Sequence, residues 1–300
     1  MNSLILHHFD ASPFAEKVRV ALGIKSLTWH SVQIPMVMPK PDLMPLTGGY
    51  RKTPVLQIGA EIYCDTSLIL EEIETRFSTP ALTSGGAAHN LAQWSDTTFF
   101  EPGAGLSMGL NPDLPEPILK DRKAFFNFMD FDQLKDDIPH LYDQYLAQVA
   151  RVEEQLSDGR PFWAGIDPSM ADILAYFPVW MARANVPGMD TLLREFKQMQ
   201  AWSERMAAFG HGVVKPMEAV AALELAKNEE PKDGQGVTST HTDLLAGDRV
   251  TVAPTDYGAV PVSGELITLN RQRITLRRRT PQTDAVNTHF PRSGYRVARI

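Results

Sequence analysis

A chain of 300 residues with 43% hydrophobic and 22% charged side chains can bury a sizeable core and is long enough for two domains or three, which excludes a largely disordered polymer. Its single cysteine, Cys64, excludes an internal disulfide, and neither a leader nor a run of eighteen apolar residues is found, so a soluble, cytoplasmic protein with no membrane partner is expected. The net charge of −7 is uneven: nine Arg, no Lys and five acids give residues 241–300 a charge of +4, against −11 (20 basic, 31 acidic) before them, which suggests a separate C-terminal module.

Ser3 to Phe9 is an apolar run of strand length, broken by Asp10-Ala11-Ser12-Pro13. A helix is predicted next, with Ser12 as N-cap, Pro13 at the first position, and Phe14, Val18, Ala21 and Leu22 on one face. Thr28 to Ile34 reads as a second strand, parallel to the first across this helix. Pro35 to Tyr50 is too rich in Pro and Gly for a strand. Pro54 to Ile58 and Glu61 to Cys64 form a hairpin around Gly59-Ala60, and a helix starts at Asp65-Thr66 with Leu68, Ile69, Ile73 and Phe77 on its apolar side. The order is βαβ, then a loop, then ββα.

From 87 to 226 the periodicity is helical throughout, as in 136–157 and Met170 to Val186, and predicts an all-helical domain of four to six helices. Residues 227–241 are a polar linker by composition. Beyond it, Arg249 to Val252, Gly264 to Leu269, Arg273 to Arg277 and Tyr295 to Ala298 are strand-like runs, which suggest a small β-barrel of SH3-like size over 242–300.

Four of these motifs, in order, resemble the glutathione S-transferase family in its serine-type, bacterial-like form, over roughly residues 3–210. Ser12-Pro13-Phe14-Ala15-Glu16-Lys17-Val18-Arg19 is similar to the active-site turn and first helix of the serine-type and cysteine-type classes. Thr53-Pro54-Val55-Leu56 resembles the loop that ends in a cis-proline, Asp65-Thr66 the acidic-then-hydroxyl pair opening the third helix, and Asp167 to Ile173 the buried capping motif. The resemblance implies a thioredoxin-like glutathione-binding domain over 1–80, a helical domain over 87–226, and a cytoplasmic, homodimeric detoxification enzyme with glutathione as co-substrate.

Each candidate carries a functional and a structural reading. The helix start at Asp65-Thr66 offers free N–H groups and a positive dipole end to the γ-glutamyl carboxylate, with Asp65 available to the α-amino group; a plain N-cap is the alternative. By resemblance a cis Thr53-Pro54 bond turns the backbone of Thr53 towards the cysteinyl part of glutathione. Lys40 and Lys52 are candidates for the glycyl carboxylate, or solvent-facing. Ser12 caps its helix or donates to the glutathione sulfur; lowering a thiol from about 8.5 to about 6.5 takes roughly 2.7 kcal/mol, within reach of one charge-assisted hydrogen bond and a helix N-terminus. Without a cysteine at 12, mixed-disulfide chemistry is disfavoured. Cys64 reads as a core residue, and the histidines lack metal-ligand spacing, so no metal is expected.

Trp94, Phe99, Phe100 and Met108 are candidates for an apolar acceptor pocket between the domains, or for ordinary bundle core. Arg271, Arg273, Arg277, Arg278 and Arg279 are expected on a basic outer face of the C-terminal strands, opposite Ile274 and Leu276. That face suits docking against the acidic body or self-association, and leaves the dimer geometry open. Nucleic acid is disfavoured by the absence of interleaved aromatics and by the acidic remainder. The activity expected is attack of activated glutathione on a small hydrophobic electrophile; the alternatives are a non-catalytic scaffold of the same fold or a glutathione-dependent lyase or isomerase.

Overall fold

The computed structural model describes residues 3–82, 87–111 and 113–300. Contacts sort the chain into two compact units. One holds the residues up to Ala15 with Thr28–Glu72 and Val213–Ile300; the other holds Glu16–Leu27 and Ile73–Gly212. The C-terminal strands, expected as a module of their own over 242–300, thus share a unit with the N-terminal ones.

Strand β1 (Ile5–His8) is fully buried and leads into helix α1 (Pro13–Ile24), after which β2 (Thr28–Gln33) runs parallel to β1 with Ser31 opposite Leu6. The stretch expected to be irregular contains one short helix, α2 (Met44–Thr47), closed by Gly48 at a φ of 74°. Strand β3 (Val55–Ile58) is antiparallel to β1, β4 (Glu61–Cys64) is antiparallel to β3, and α3 (Thr66–Arg76) follows. This βαβ–ββα order is the thioredoxin-like arrangement read from the sequence.

The second unit is helical. Helices α4 (Ala87–Trp94) and α5 (Phe100–Gly109) are joined by one π-helical turn at Ser95–Phe99. Then come α6 (Glu116–Phe125), the long α7 (Leu134–Gln155), α8 (Met170–Asn185), the short α9 (Met189–Leu192) and α10 (Lys197–Ala208). Helices α5 and α7 approach closely because α5 is rich in glycine: a Cβ on Gly105 would lie 2.8 Å from Leu141 Cδ1. The Asp167 to Ile173 motif works in folding. Buried Asp172 accepts the Ser169 N–H at 2.8 Å, and its other oxygen takes the Trp202 indole and the Trp163 N–H, each at 2.8 Å. No helix among the described residues is long and apolar enough to cross a membrane.

The chain re-enters the first unit with β5 (Val213–Pro216), parallel to β2, inside the segment expected to be all-helical, and then α11 (Ala219–Lys227), which buries Ala222 and Ala226. Strands β6 (Gly236–Val237), β7 (Arg249–Pro254), β8 (Val262–Leu269), β9 (Arg273–Thr280), β10 (Asp284–Pro291) and β11 (Tyr295–Arg299) complete one sheet, in the order β11-β7-β8-β9-β10-β4-β3-β1-β2-β5 with β6 on β8. The expected SH3-like barrel is therefore corrected. Its strands exist, but among the described residues they run as an open ladder, and β10, which the sequence reading did not find, continues into β4.

That junction is polar and buried. Asn287 of β10 stands opposite Glu61 of β4, and His289 opposite Tyr63. Glu61 Oε1 accepts from Asn287 Nδ2 at 3.0 Å and from the Lys232 N–H at 2.8 Å, while Oε2 lies 2.7 Å from His289 Nε2. Thr275 Oγ1 is 3.0 Å from His289 Nδ1, so a neutral ring that donates through Nε2 to Glu61 and accepts at Nδ1 satisfies every group. Burial pushes the Glu61 carboxyl up, but His289 and Lys232 together outweigh it and hold the carboxyl below its usual range; burial likewise pushes His289 down, and Glu61 only partly offsets that.

Arg271 and Arg279 are exposed, and Arg273, Arg277 and Arg279 fall on the strand face opposite Ile274 and Leu276 as expected, but Arg273 and Arg277 are half-buried and engaged, and Arg278 departs from that face. Arg277 donates to Lys232 O at 2.6 Å and to Asn287 Oδ1 at 3.2 Å, and Arg273 lies 3.7 Å from Glu72. Arg278 falls on the same strand face as Ile274 and Leu276 and donates to Pro45 O at 3.2 Å. Gly48 makes room for it: a Cβ there would be 2.6 Å from Arg278 Nε.

Candidate functional site

The turn after β1 places Ser12 directly ahead of α1. Its Oγ accepts the Ala15 N–H at 3.2 Å, and its own N–H donates to Phe9 O at 3.0 Å, so the capping role predicted for it is filled. A hydroxyl has two lone pairs and one proton. The cap uses a lone pair and leaves the proton for a ligand, so capping and donation to a sulfur are compatible in one side chain.

The Thr53-Pro54 bond is cis. Lys40, 3% exposed, donates to Thr53 Oγ1 at 2.7 Å and to Arg51 O at 3.4 Å, which gathers Lys40, Thr53 and Pro54 at one place. Lys52 is engaged elsewhere: its ammonium meets both carboxylate oxygens of Asp256, at 2.6 and 2.7 Å, and lies 4.3 Å from the centre of the Tyr257 ring. Asp65 sits at a φ of 80°, unusual for a residue other than glycine, and Thr66 behind it is buried as the first residue of α3. Asp65 Oδ1 accepts from Ser67 N at 2.9 Å and Ser67 Oγ at 2.6 Å, while Oδ2 accepts the Tyr295 hydroxyl at 2.9 Å. Tyr295 in turn lies 2.8 Å from the Tyr50 hydroxyl. Cys64 is buried in the apolar cluster of this unit, and burial pushes its thiol up, as suits a core residue.

Of the acceptor candidates, Trp94 donates to Gln148 Oε1 at 2.9 Å, and Phe99 is fully buried with its ring 5.2 Å from Trp94 and 5.3 Å from Tyr145. These two serve the packing of the helical unit. Phe100 stands 6.0 Å from Phe177 and within 6.5 Å of Phe126 and Phe128, and Met108 is half-buried. The same unit holds a buried cation that the sequence reading passed over. Lys17 is paired with Asp96 of the π-helical turn and lies 4.2 Å from the centre of the Phe177 ring.

The structure also adds Tyr50, Tyr295, Asp256 and Tyr257 to the surroundings of the predicted glutathione-binding residues. No local pattern marks them: Tyr295 meets Asp65 across 230 residues and Asp256 meets Lys52 across 204.

In what it contains, the region fits the ligand implied by the sequence. It offers a helix N-terminus for a carboxylate, an acid for an amine, a buried ammonium near the cis-proline, and a hydroxyl proton for a sulfur. Comparison with known proteins bears on the family of the chain. Residues 6–81 match the family model of the glutathione S-transferase N-terminal domain, and residues 119–209 that of the C-terminal domain. A GST-like protein from Pseudomonas syringae is 36% identical, with all of both chains covered and a TM-score of 0.81. A glutathione S-transferase from Rhodospirillum rubrum (23% identity, 68% of this chain and 88% of that one, TM-score 0.52) and a Tau class glutathione S-transferase from mango (18%, 69% and 89%, 0.52) share the fold over those portions. No curated protein matches the chain.

Proposed function

Because the chain belongs to the glutathione S-transferase family, we propose that residues 3–82 bind glutathione and that Ser12 activates its sulfur for attack on a small apolar electrophile. The observation that carries this reading is the free use of the Ser12 proton, since the helix cap occupies only a lone pair of the hydroxyl. Glutathione supplies the nucleophilic sulfur. Ser12 donates to that sulfur and, with the N-terminus of α1, favours its anionic form. Thr66 and the start of α3 receive the γ-glutamyl carboxylate, and Asp65 the α-amino group. Lys40 steadies the segment at Thr53-Pro54 and carries positive charge towards the glycyl end; Lys52 contributes there once it leaves Asp256. Within the helical unit, Phe100 and Met108, backed by Trp94 and Phe99, are the candidates for an apolar wall that receives the electrophile. The proposed enzyme is a cytoplasmic homodimer.

Titration calorimetry with glutathione, and conjugation of a chloronitrobenzene electrophile by wild type and Ser12→Ala, test the proposal. Glutathione is expected to bind both proteins, and Ser12→Ala to turn over about ten- to a hundredfold more slowly. One observation favours a second reading, a scaffold rather than an enzyme: Lys52 and Asp65 are already engaged by side chains from the C-terminal region, Asp256 after β7 and Tyr295 of β11. Tight binding without Ser12-dependent turnover would establish it, or a lyase or isomerase acting on another substrate.

A further inference from the structure

The family models end at residue 209, so nothing in them gives the C-terminal strands a part in ligand binding. The geometry points to one. We propose that Tyr295, from the first position of β11, is a positioning residue of the glutathione site, which fixes the carboxylate of Asp65 so that it discriminates for a ligand bearing a free α-amino group. The inference rests on the reading of Asp65 given above.

Three observations support it. First, the Tyr295 hydroxyl donates its single proton to Asp65 Oδ2, so the 2.8 Å contact between the two tyrosines has Tyr50 as donor, and a directed chain runs from Tyr50 to Tyr295 to Asp65. Burial pushes both phenols well above their ordinary value, so both are protonated and able to donate at neutral pH. Second, the Tyr295 ring is held. It is 4% exposed, its centre lies 5.6 Å from that of Phe290, and Phe290 packs edge-on against Tyr50 at 5.8 Å. A clamped phenol fixes the direction of its hydrogen bond, which a solvent-exposed serine or lysine would not. Third, Asp65 has about four acceptor positions, and the structure fills three, two by Ser67 on Oδ1 and one by Tyr295 on Oδ2. The remaining lone-pair direction is single and oriented. A cation placed there meets a full negative charge, whereas a ligand without the amine leaves that acceptor direction and its charge without a donor.

The experiment measures selectivity rather than affinity alone. Calorimetric dissociation constants are determined for glutathione and for its analogue lacking the α-amino group, with wild type, Tyr295→Phe and Asp65→Asn. Removal of one hydroxyl is expected to weaken glutathione by about three- to tenfold while leaving the des-amino analogue within about twofold. In the double variant Tyr295→Phe with Asp65→Asn, the tyrosine effect should disappear, because its target is gone. A general loosening of the strands would weaken both ligands alike, and that result, or an unchanged preference for glutathione, overturns the proposal while leaving glutathione binding intact. Absence of glutathione binding by the wild type overturns both readings together. Should Tyr295→Phe not fold, Tyr50→Phe removes the donor to Tyr295 and is expected to lower the same preference by about twofold; no change there overturns the proposal as well.

Discussion

Strand β4 has a neighbour on each side, and the two junctions are built on different physics. Towards β3 it forms an antiparallel hairpin whose turn is Gly59-Ala60 and whose side chains at Leu56, Ile58, Ile62 and Cys64 are buried and apolar. Towards β10 it is parallel, and the contacts that matter are a carboxylate with its donors: Asn287, His289 and the Lys232 N–H on Glu61. Apolar burial is non-directional and degrades in small steps. A buried charge tolerates no missing partner, because each group left behind keeps its desolvation cost without its bond.

The largest expected effect exploits that contrast. Glu61→Ala removes one side chain and strands Asn287, His289 and the Lys232 N–H, so a loss of about 3–5 kcal/mol is expected in urea denaturation at pH 7. Ile62→Val, the next residue on the same strand, should cost about 0.5–1.5 kcal/mol. Equal costs would erase the distinction between the two junctions.

Acid sharpens it. His7 on β1 donates through Nε2 to Gln57 Oε1 at 2.8 Å, since the amide nitrogen of Gln57 is spent on Gly59 O and Ala222 O. Burial pushes this histidine from 6.5 to about 4, against a smaller opposing effect of Gln57. The folded state therefore resists a proton that the unfolded chain accepts. Its contribution is complete above pH 6.5 and falls by about 3 kcal/mol as the pH drops from there to 4, in addition to losses of the same sign from His289 and, below 4.5, Glu61. Stability curves of wild type and His7→Gln from pH 7 to 4 check this; parallel curves would refute it.

Two smaller effects test how the C-terminal strands meet the rest of the unit. Gly48→Ala places a Cβ at a φ of 74° and against Arg278, and should cost about 1–3 kcal/mol in thermal unfolding. Asp256→Asn frees Lys52 from a half-exposed ion pair and should tighten glutathione binding about two- to fivefold at low salt, a gain that 1 M salt removes.

What could be read in the sequence follows the same division. The βαβ unit, the hairpin and the opening of α3 at Asp65-Thr66 are written in local periodicity and turn residues, and the structure has them. Strand β10 was unreadable because Asn287, Thr288 and His289 look like a loop until their distant partners bury them. Arg278 looks solvent-facing for the same reason, as its place on the core face depends on Gly48 and Pro45. In the candidate site Ser12, Lys40 and Thr53 were legible from motif spacing. Tyr295 and Asp256 were not, since hydrogen bonds across more than two hundred residues leave no periodic trace.

The parallel junction of β10 with β4 also sets an order of events during synthesis. Glu61 waits for Asn287, 226 residues further along, which at about 5–20 residues per second is tens of seconds. Throughout that interval the outer edge of β4 is an open template of the kind that recruits strands from other chains. A glutamate on such an edge repels them. The side chain that anchors the finished seam is thus, until the last strands arrive, a charge that makes the bare edge of β4 costly for an apolar strand to cover.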